Sequence, residues 1–185
     1  SLDSLPQEYA TRGRGDYRAP ALRIENEFGQ STNELTYKTH MITKGKPKFS
    51  EMPQLDASEE DCDTLEIVME DTVGGFEVSL FYSVFAKENV IARRSAIRNQ
   101  SDKTLKILNA ASICLDIEAK ELEMVSLEGA WGRERHIQRY PLPHGTTSVE
   151  SRRGTSSHQL NPFAALVAKN TNEDYGEVYA TTLIY

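Results

Sequence analysis

Between Gly75 and Ala86 apolar side chains fall on every second residue: Phe76, Val78, Leu80, Tyr82 and Val84. The intervening positions hold Glu77, Ser79 and Ser83, with Phe81 and Phe85 among them. An extended chain sends successive side chains to opposite faces, so a period of two marks a half-buried β-strand and not a helix. Thr64–Glu70 repeats the pattern, with Leu65, Ile67 and Met69 on one side and Glu66 and Glu70 on the other. Leu105–Leu115 aligns Leu105, Ile107, Ala111, Ile113 and Leu115. Further strands are expected at Ala21–Asn26, Tyr37–Thr43, Val90–Arg98, Thr146–Arg153, Phe163–Lys169 and Glu177–Tyr185.

Residues that tolerate tight turns separate these runs at Glu27–Gln30, Asp71–Gly75, Asn99–Asp102 and Asn170–Asp174. Many short strands at this spacing predict an all-β antiparallel sandwich. One helical turn is expected at Glu118–Glu123, where Ala, Lys, Glu and Leu favour helix, with a loop as the alternative. Two long loops remain. Gly45–Asp63 carries Pro47 and Pro53 and ends acidic, and Gly129–Gly154 is basic through Arg133, Arg135, Arg139, Arg152 and Arg153. Long loops of this kind are often functional or disordered.

The chain has 185 residues and a net charge of −7. One ordinary core suits that length. The acidic balance argues against a non-specific nucleic-acid binder, which needs a basic footprint. No run approaches the roughly 20 apolar residues that span a bilayer. No basic stretch followed by an apolar one marks a signal peptide, so a cytoplasmic location is expected. Cys62 lies among Glu59, Glu60, Asp61 and Asp63, whose charge blunts a thiolate, and Cys114 reads as core filling. The two suit a reducing compartment and make no disulfide framework. The chain starts at Ser1 and stops at Tyr185 inside an apolar run, so it reads as a piece of a longer polypeptide.

Few motifs carry chemistry. Arg14-Gly15-Asp16 spells an adhesion tripeptide but reads as a tight turn, and Asn99-Gln100-Ser101 reads as a polar hairpin turn. His40, His136, His144 and His158 form no metal-ligand spacing, so no metal and no cofactor are expected. Ser157 and His158 are adjacent, which on an extended chain points them to opposite faces. Twenty-eight acidic residues select no catalytic carboxylate pair by themselves.

Gly129-Ala-Trp-Gly-Arg-Glu-Arg-His136 is more distinctive. It holds the single tryptophan between two glycines, beside Arg133 and Arg135. An indole face stacks on sugar C–H bonds or on Arg, and guanidinium forks hold carboxylates or hydroxyl-rich surfaces. The same residue types anchor protein interfaces. Trp131, Arg133 and Arg135 are therefore the candidates for substrate-adjacent or interface roles.

Several strings resemble, in order, the glycoside hydrolases of family 36, the bacterial-type α-galactosidases. They are Leu5-Pro-Gln-Glu-Tyr9, Gly15-Asp-Tyr-Arg-Ala-Pro-Ala21, Lys44-Gly-Lys-Pro-Lys48, Gly129–Arg135, Glu150–His158, Asn161-Pro-Phe163 and Gly176-Glu-Val-Tyr179. The resemblance runs the length of the chain and covers the family's N-terminal domain. It implies an antiparallel β-supersandwich, galactose mutarotase-like and incomplete at both ends, forming a single partial domain over residues 1–185. The implied activity is hydrolysis of terminal α-galactosides of the melibiose and raffinose type with retention of configuration. Two aspartates on a downstream (β/α)8 barrel perform it, and neither lies in this chain.

The partners so implied are that barrel and neighbouring subunits in a homo-oligomer, a tetramer in which one subunit's N-terminal domain lies beside another's active site. The segment reaching that site would lie upstream of Ser1. Strands missing at both ends would leave apolar sheet edges exposed. Two alternatives stand beside this reading: an independent carbohydrate-binding or assembly sandwich, and an aldose mutarotase-like enzyme. The latter needs His136 or His158 beside a carboxylate in a sugar-sized cleft.

Overall fold

The computed structural model describes residues 5–15, 18–49, 53–118, 121–153 and 159–184. A 3-10 turn at Arg12–Arg14 is followed by ten strands. These are β1 (Leu22–Glu25), β2 (Thr36–Lys44), β3 (Asp63–Asp71), β4 (Phe76–Phe85), β5 (Val90–Asn99), β6 (Lys106–Ala110), β7 (Leu122–Ala130), β8 (Arg133–Pro141), β9 (Leu160–Ala168) and β10 (Val178–Thr182). Every pairing is antiparallel, so the all-β antiparallel expectation holds. The strands fall into two compact units, one with β1–β6 and one with β7–β10.

The first unit is a two-layer sandwich. Its larger sheet runs β2-β3-β4-β5, and β1-β6 forms a smaller second layer. The alternation in β4 decides the core: Phe76, Val78 and Leu80 are fully buried and pack with Leu22 and Ile24 of β1 and with Tyr9 and Ala21. Met69, Ile97 and Leu105 close around them. Burial raises the Tyr9 pKa, and its hydroxyl, which donates to the Ala111 carbonyl at 2.7 Å, anchors the segment after β6.

Two polar side chains finish the unit. Asp71 is buried at the β3–β4 turn. Its carboxylate accepts from the N–H groups of Val73 (3.1 Å), Gly74 (2.7 Å) and Glu34 (3.0 Å), so the turn is held to the β1–β2 connection. Gly75, at φ 70°, completes the turn by donating its N–H to the Asp71 carbonyl. Asn33 is also buried and pairs with the backbone of Ile24 through its carboxamide.

The second unit is one sheet in the order β10-β9-β7-β8. Met124, Ser126, Ala165 and Val167 are its buried residues. Arg139 of β8 pairs with Glu123 of β7 and donates to the carbonyls of Ala168, Lys169 and Thr171 at 3.2, 2.8 and 2.7 Å. The β9–β10 connection is thereby tied across β7.

Four local expectations are corrected. Leu122 and Glu123, expected in a helical turn, begin β7, while residues 119 and 120 lie outside the described residues. The stretch read as a loop from Gly129 contains β8. Leu105–Leu115 supplies strand only over Lys106–Ala110. No strand forms among the described residues of Thr146–Arg153. There Arg152 instead pairs locally with Glu150 at 2.8 Å, which suits a solvated loop.

Candidate functional site

The β7–β8 hairpin carries Trp131, Arg133 and Arg135 at its tip. Its turn is Trp131-Gly132, with Gly132 at φ 77° in the left-handed region that glycine tolerates. The Gly132 N–H donates to the Glu134 carboxylate at 2.8 Å, which fixes the turn. Beyond it the ladder is irregular. Ala130 faces Arg133 and Glu128 faces His136, so Glu134 and Arg135 together oppose Gly129. This is a β-bulge, which bends the strand and re-aims its side chains.

Two backbone features show how tightly the bulge is built. A Cβ on Gly129 would lie 2.3 Å from the Arg133 carbonyl oxygen, so only glycine fits. Arg135 is held at φ 59°, a conformation that costs a non-glycine residue about 1–2 kcal/mol. The stiff tip presents Trp131 at 83% exposure, with Arg133 and Arg135 also exposed. Among the described residues neither guanidinium meets a carboxylate within ion-pair distance. The arrangement can stack on an apolar or sugar surface and donate forked hydrogen bonds to carboxylates.

Among the described residues the histidines do not assemble. His40 shares a 2.6 Å hydrogen bond with the Tyr37 hydroxyl on β2. His136 is exposed and faces Glu128 across the ladder, where the Glu128 carboxylate accepts from Ser126 Oγ at 2.7 Å. His144 is exposed in a loop, and His158 lies outside the described residues, as do Asp16 and Ser157. Both cysteines are unpaired, with Cys62 buried.

A shallow cavity of about 430 Å³ lies where Thr43–Lys48 meets Ala57–Glu59, on the string that begins at Lys44. Lys44 is paired with Asp63 at 2.7 Å. The Lys46 ammonium sits 5.7 Å from the Phe49 ring, whose face also carries the Arg94 guanidinium at 3.2 Å. Burial, then the Arg94 charge, pulls the Lys46 pKa down. Burial pulls the Arg94 pKa down as well. Glu59 is the one carboxylate among the described lining residues. A glycosidase needs two flanking the scissile bond, a pair that the described lining residues do not supply. Residue types alone do not mark this stacked cation pair. Its signal was the spacing of Lys46 and Phe49 on one short segment, which becomes readable only once β5 brings Arg94 to them.

Comparison with known proteins then gives four findings. The sequence profile of the glycosyl hydrolase family 36 N-terminal domain matches residues 1–185. The α-galactosidase AgaA of Geobacillus stearothermophilus is 47% identical over 186 residues, covering 100% of this chain and 26% of that protein. The bifunctional α-galactosidase/sucrose kinase AgaSK of Mediterraneibacter gnavus is 42% identical over 185 residues, covering 100% of this chain and 20% of that protein. The crystal structure of a Geobacillus stearothermophilus AgaA variant in complex with raffinose superposes with a TM-score of 0.92 at 47% identity, covering 97% of this chain and 25% of that one. The chain thus spans about a quarter of the length of AgaA.

Proposed function

Since the chain belongs to glycosyl hydrolase family 36 as its N-terminal domain, we propose that it is the non-catalytic part of a retaining α-galactosidase acting on terminal α-galactosides of the melibiose and raffinose type. The match along the whole chain carries this reading. Raffinose bound to the AgaA variant supports the substrate class. The chemistry belongs to two carboxylates of a downstream barrel, one as nucleophile and one as acid/base.

The domain's own work is assembly and shaping of the active-site mouth in a cytoplasmic homo-oligomer. Trp131, Arg133 and Arg135 make the contact. Their support is physical: a strained, bulged hairpin holds an exposed indole and two guanidinia that meet no carboxylate among the described residues. Exposed Trp and Arg groups of this kind dominate binding energy at interfaces.

The test is the full-length protein. It should hydrolyse melibiose and raffinose, with the first-formed galactose in the α configuration by NMR. Absence of turnover on every α-galactoside would end the enzyme assignment. The exposed indole also favours a second reading, direct stacking of a sugar on Trp131. Loss of raffinose affinity in Trp131→Ala with unchanged sedimentation would select it.

A further inference from the structure

The cavity beside β2 gathers positive charge on a chain whose net charge is −7. Lys44, Lys46 and Lys48 all line it, against the single carboxylate of Glu59 among the described lining residues. A recess lined mainly by one sign of charge concentrates its field on an ion of the other sign.

The walls of the cavity are fixed by the fold. Gly45, at φ 71°, donates its N–H to the Cys62 carbonyl at 2.8 Å and accepts from the buried Thr64 hydroxyl at 2.7 Å. A Cβ on Gly45 would lie 3.0 Å from the Glu59 Cα, so glycine lets the second wall come close. That wall is braced by Asp61, whose carboxylate accepts from the Ser58 N–H at 2.6 Å. A ligand therefore meets a recess already formed.

Its charge is not balanced from within. Asp63 pairs with Lys44 at 2.7 Å. Among the described residues neither Lys48 nor Arg94 meets a carboxylate within ion-pair distance. The Nη1 of Arg94 is buried and has no acceptor there. Arg94 shares the Phe49 ring with Lys46, and its charge adds to burial in disfavouring the Lys46 ammonium. An anion beside Lys46 and Lys48 would offset that surplus.

The rest of the lining suits a sugar. The Thr43 hydroxyl donates and accepts, Glu59 accepts from hydroxyl groups while repelling a bare anion, and Pro47 and Ala57 offer C–H surface. Small-molecule pockets run from about 300 to 1,000 Å³, so 430 Å³ holds one sugar ring with a substituent. We infer that this cavity binds a phosphorylated hexose, with Lys46 and Lys48 on the phosphate and Thr43 and Glu59 on the ring hydroxyls. Ammonium groups bind phosphate as point charges and do not need the fork of an arginine.

Isothermal titration of the full-length protein with glucose 6-phosphate and galactose 6-phosphate tests this, with inorganic phosphate and the two free hexoses as controls. At least one sugar phosphate should saturate a site at millimolar concentration or below, about tenfold more tightly than inorganic phosphate. Lys46→Met and Lys48→Met should each weaken that binding by about tenfold, and Lys103→Met, outside the lining, should not. A second readout needs no variant. The bound sugar phosphate should slow acetylation of Lys46 and Lys48 by acetic anhydride, read by peptide mass spectrometry, and leave Lys103 unaffected. Failure of both sugar phosphates to bind would overturn the inference, as would acetylation of Lys46 and Lys48 at an unchanged rate. Inorganic phosphate binding as tightly as the sugar phosphates would overturn it too, because the cavity would then read only the anion.

Discussion

The guanidinium of Arg139 donates to the Thr171 carbonyl at 2.7 Å from two strands away. The same group reaches Lys169 and Ala168 and pairs with Glu123, so its planar fork closes the connection between β9 and β10. Lysine cannot reproduce that fork. Arg139→Lys should therefore lower stability by about 1–3 kcal/mol in denaturant unfolding. Faster amide exchange confined to residues 169–176 should accompany it.

Asn33 acts as a substitute strand for Ile24, supplying one acceptor and one donor from a side chain. Asn33→Ala leaves two buried backbone groups without partners and should cost about 2–4 kcal/mol. Asn33→Asp keeps the acceptor but sets a carboxylate against the Ile24 carbonyl, so it should be at least as damaging. Equilibrium urea unfolding of both variants checks the order.

The bulge makes a paired prediction. Gly129→Ala forces a methyl against the Arg133 carbonyl and should destabilise by about 1–3 kcal/mol. Arg135→Gly releases a strained φ of 59° and should stabilise by up to about 1 kcal/mol, while weakening whatever the tip contacts. Opposite signs in thermal unfolding distinguish strain from simple packing.

Glu77 gives a pH dependence. The Lys38 ammonium and the Gln100 amide hold its carboxyl below the ordinary value of 4.5. A depressed folded pKa contributes stability that is present above the unfolded value and lost as pH falls through the folded one. Stability should therefore decline as pH falls below the ordinary value of 4.5, and Lys38→Met should flatten that decline. A slope unchanged in the variant would remove Lys38 from the account.

How legible these features were depended on burial. β4 could be read because Phe76, Val78 and Leu80 are sealed on one face while Glu77 and Ser79 alternate with them, so alternation survives in the residue types. β8 could not be read, since Arg133–Arg139 is exposed on both faces and nothing selects apolar residues at a period of two. The start of β7 misled because Glu121-Leu-Glu123 consists of helix formers, whereas cross-strand pairing to β8 and β9 overrode local propensity. Trp131, Arg133 and Arg135 stood out by type, but the bulge that aims them depends on register, which single-residue preferences do not encode. Asn33 and Arg139 carried no signal at all, because their roles lie in backbone groups nine and about thirty residues away.

For the tip itself, Trp131→Ala in the full-length enzyme should weaken subunit assembly or raise KM while leaving kcat nearly unchanged. Sedimentation velocity and steady-state kinetics on raffinose read the two quantities separately. No change in sedimentation, KM or kcat would reduce the indole to local packing.

The most direct measurement compares raffinose hydrolysis by the full-length protein with that by residues 1–185 alone. The account predicts turnover with retention of configuration in the former and none in the latter. Hydrolysis by residues 1–185 at even a small fraction of the full-length rate would contradict it, because the catalytic carboxylates would then have to lie in this domain.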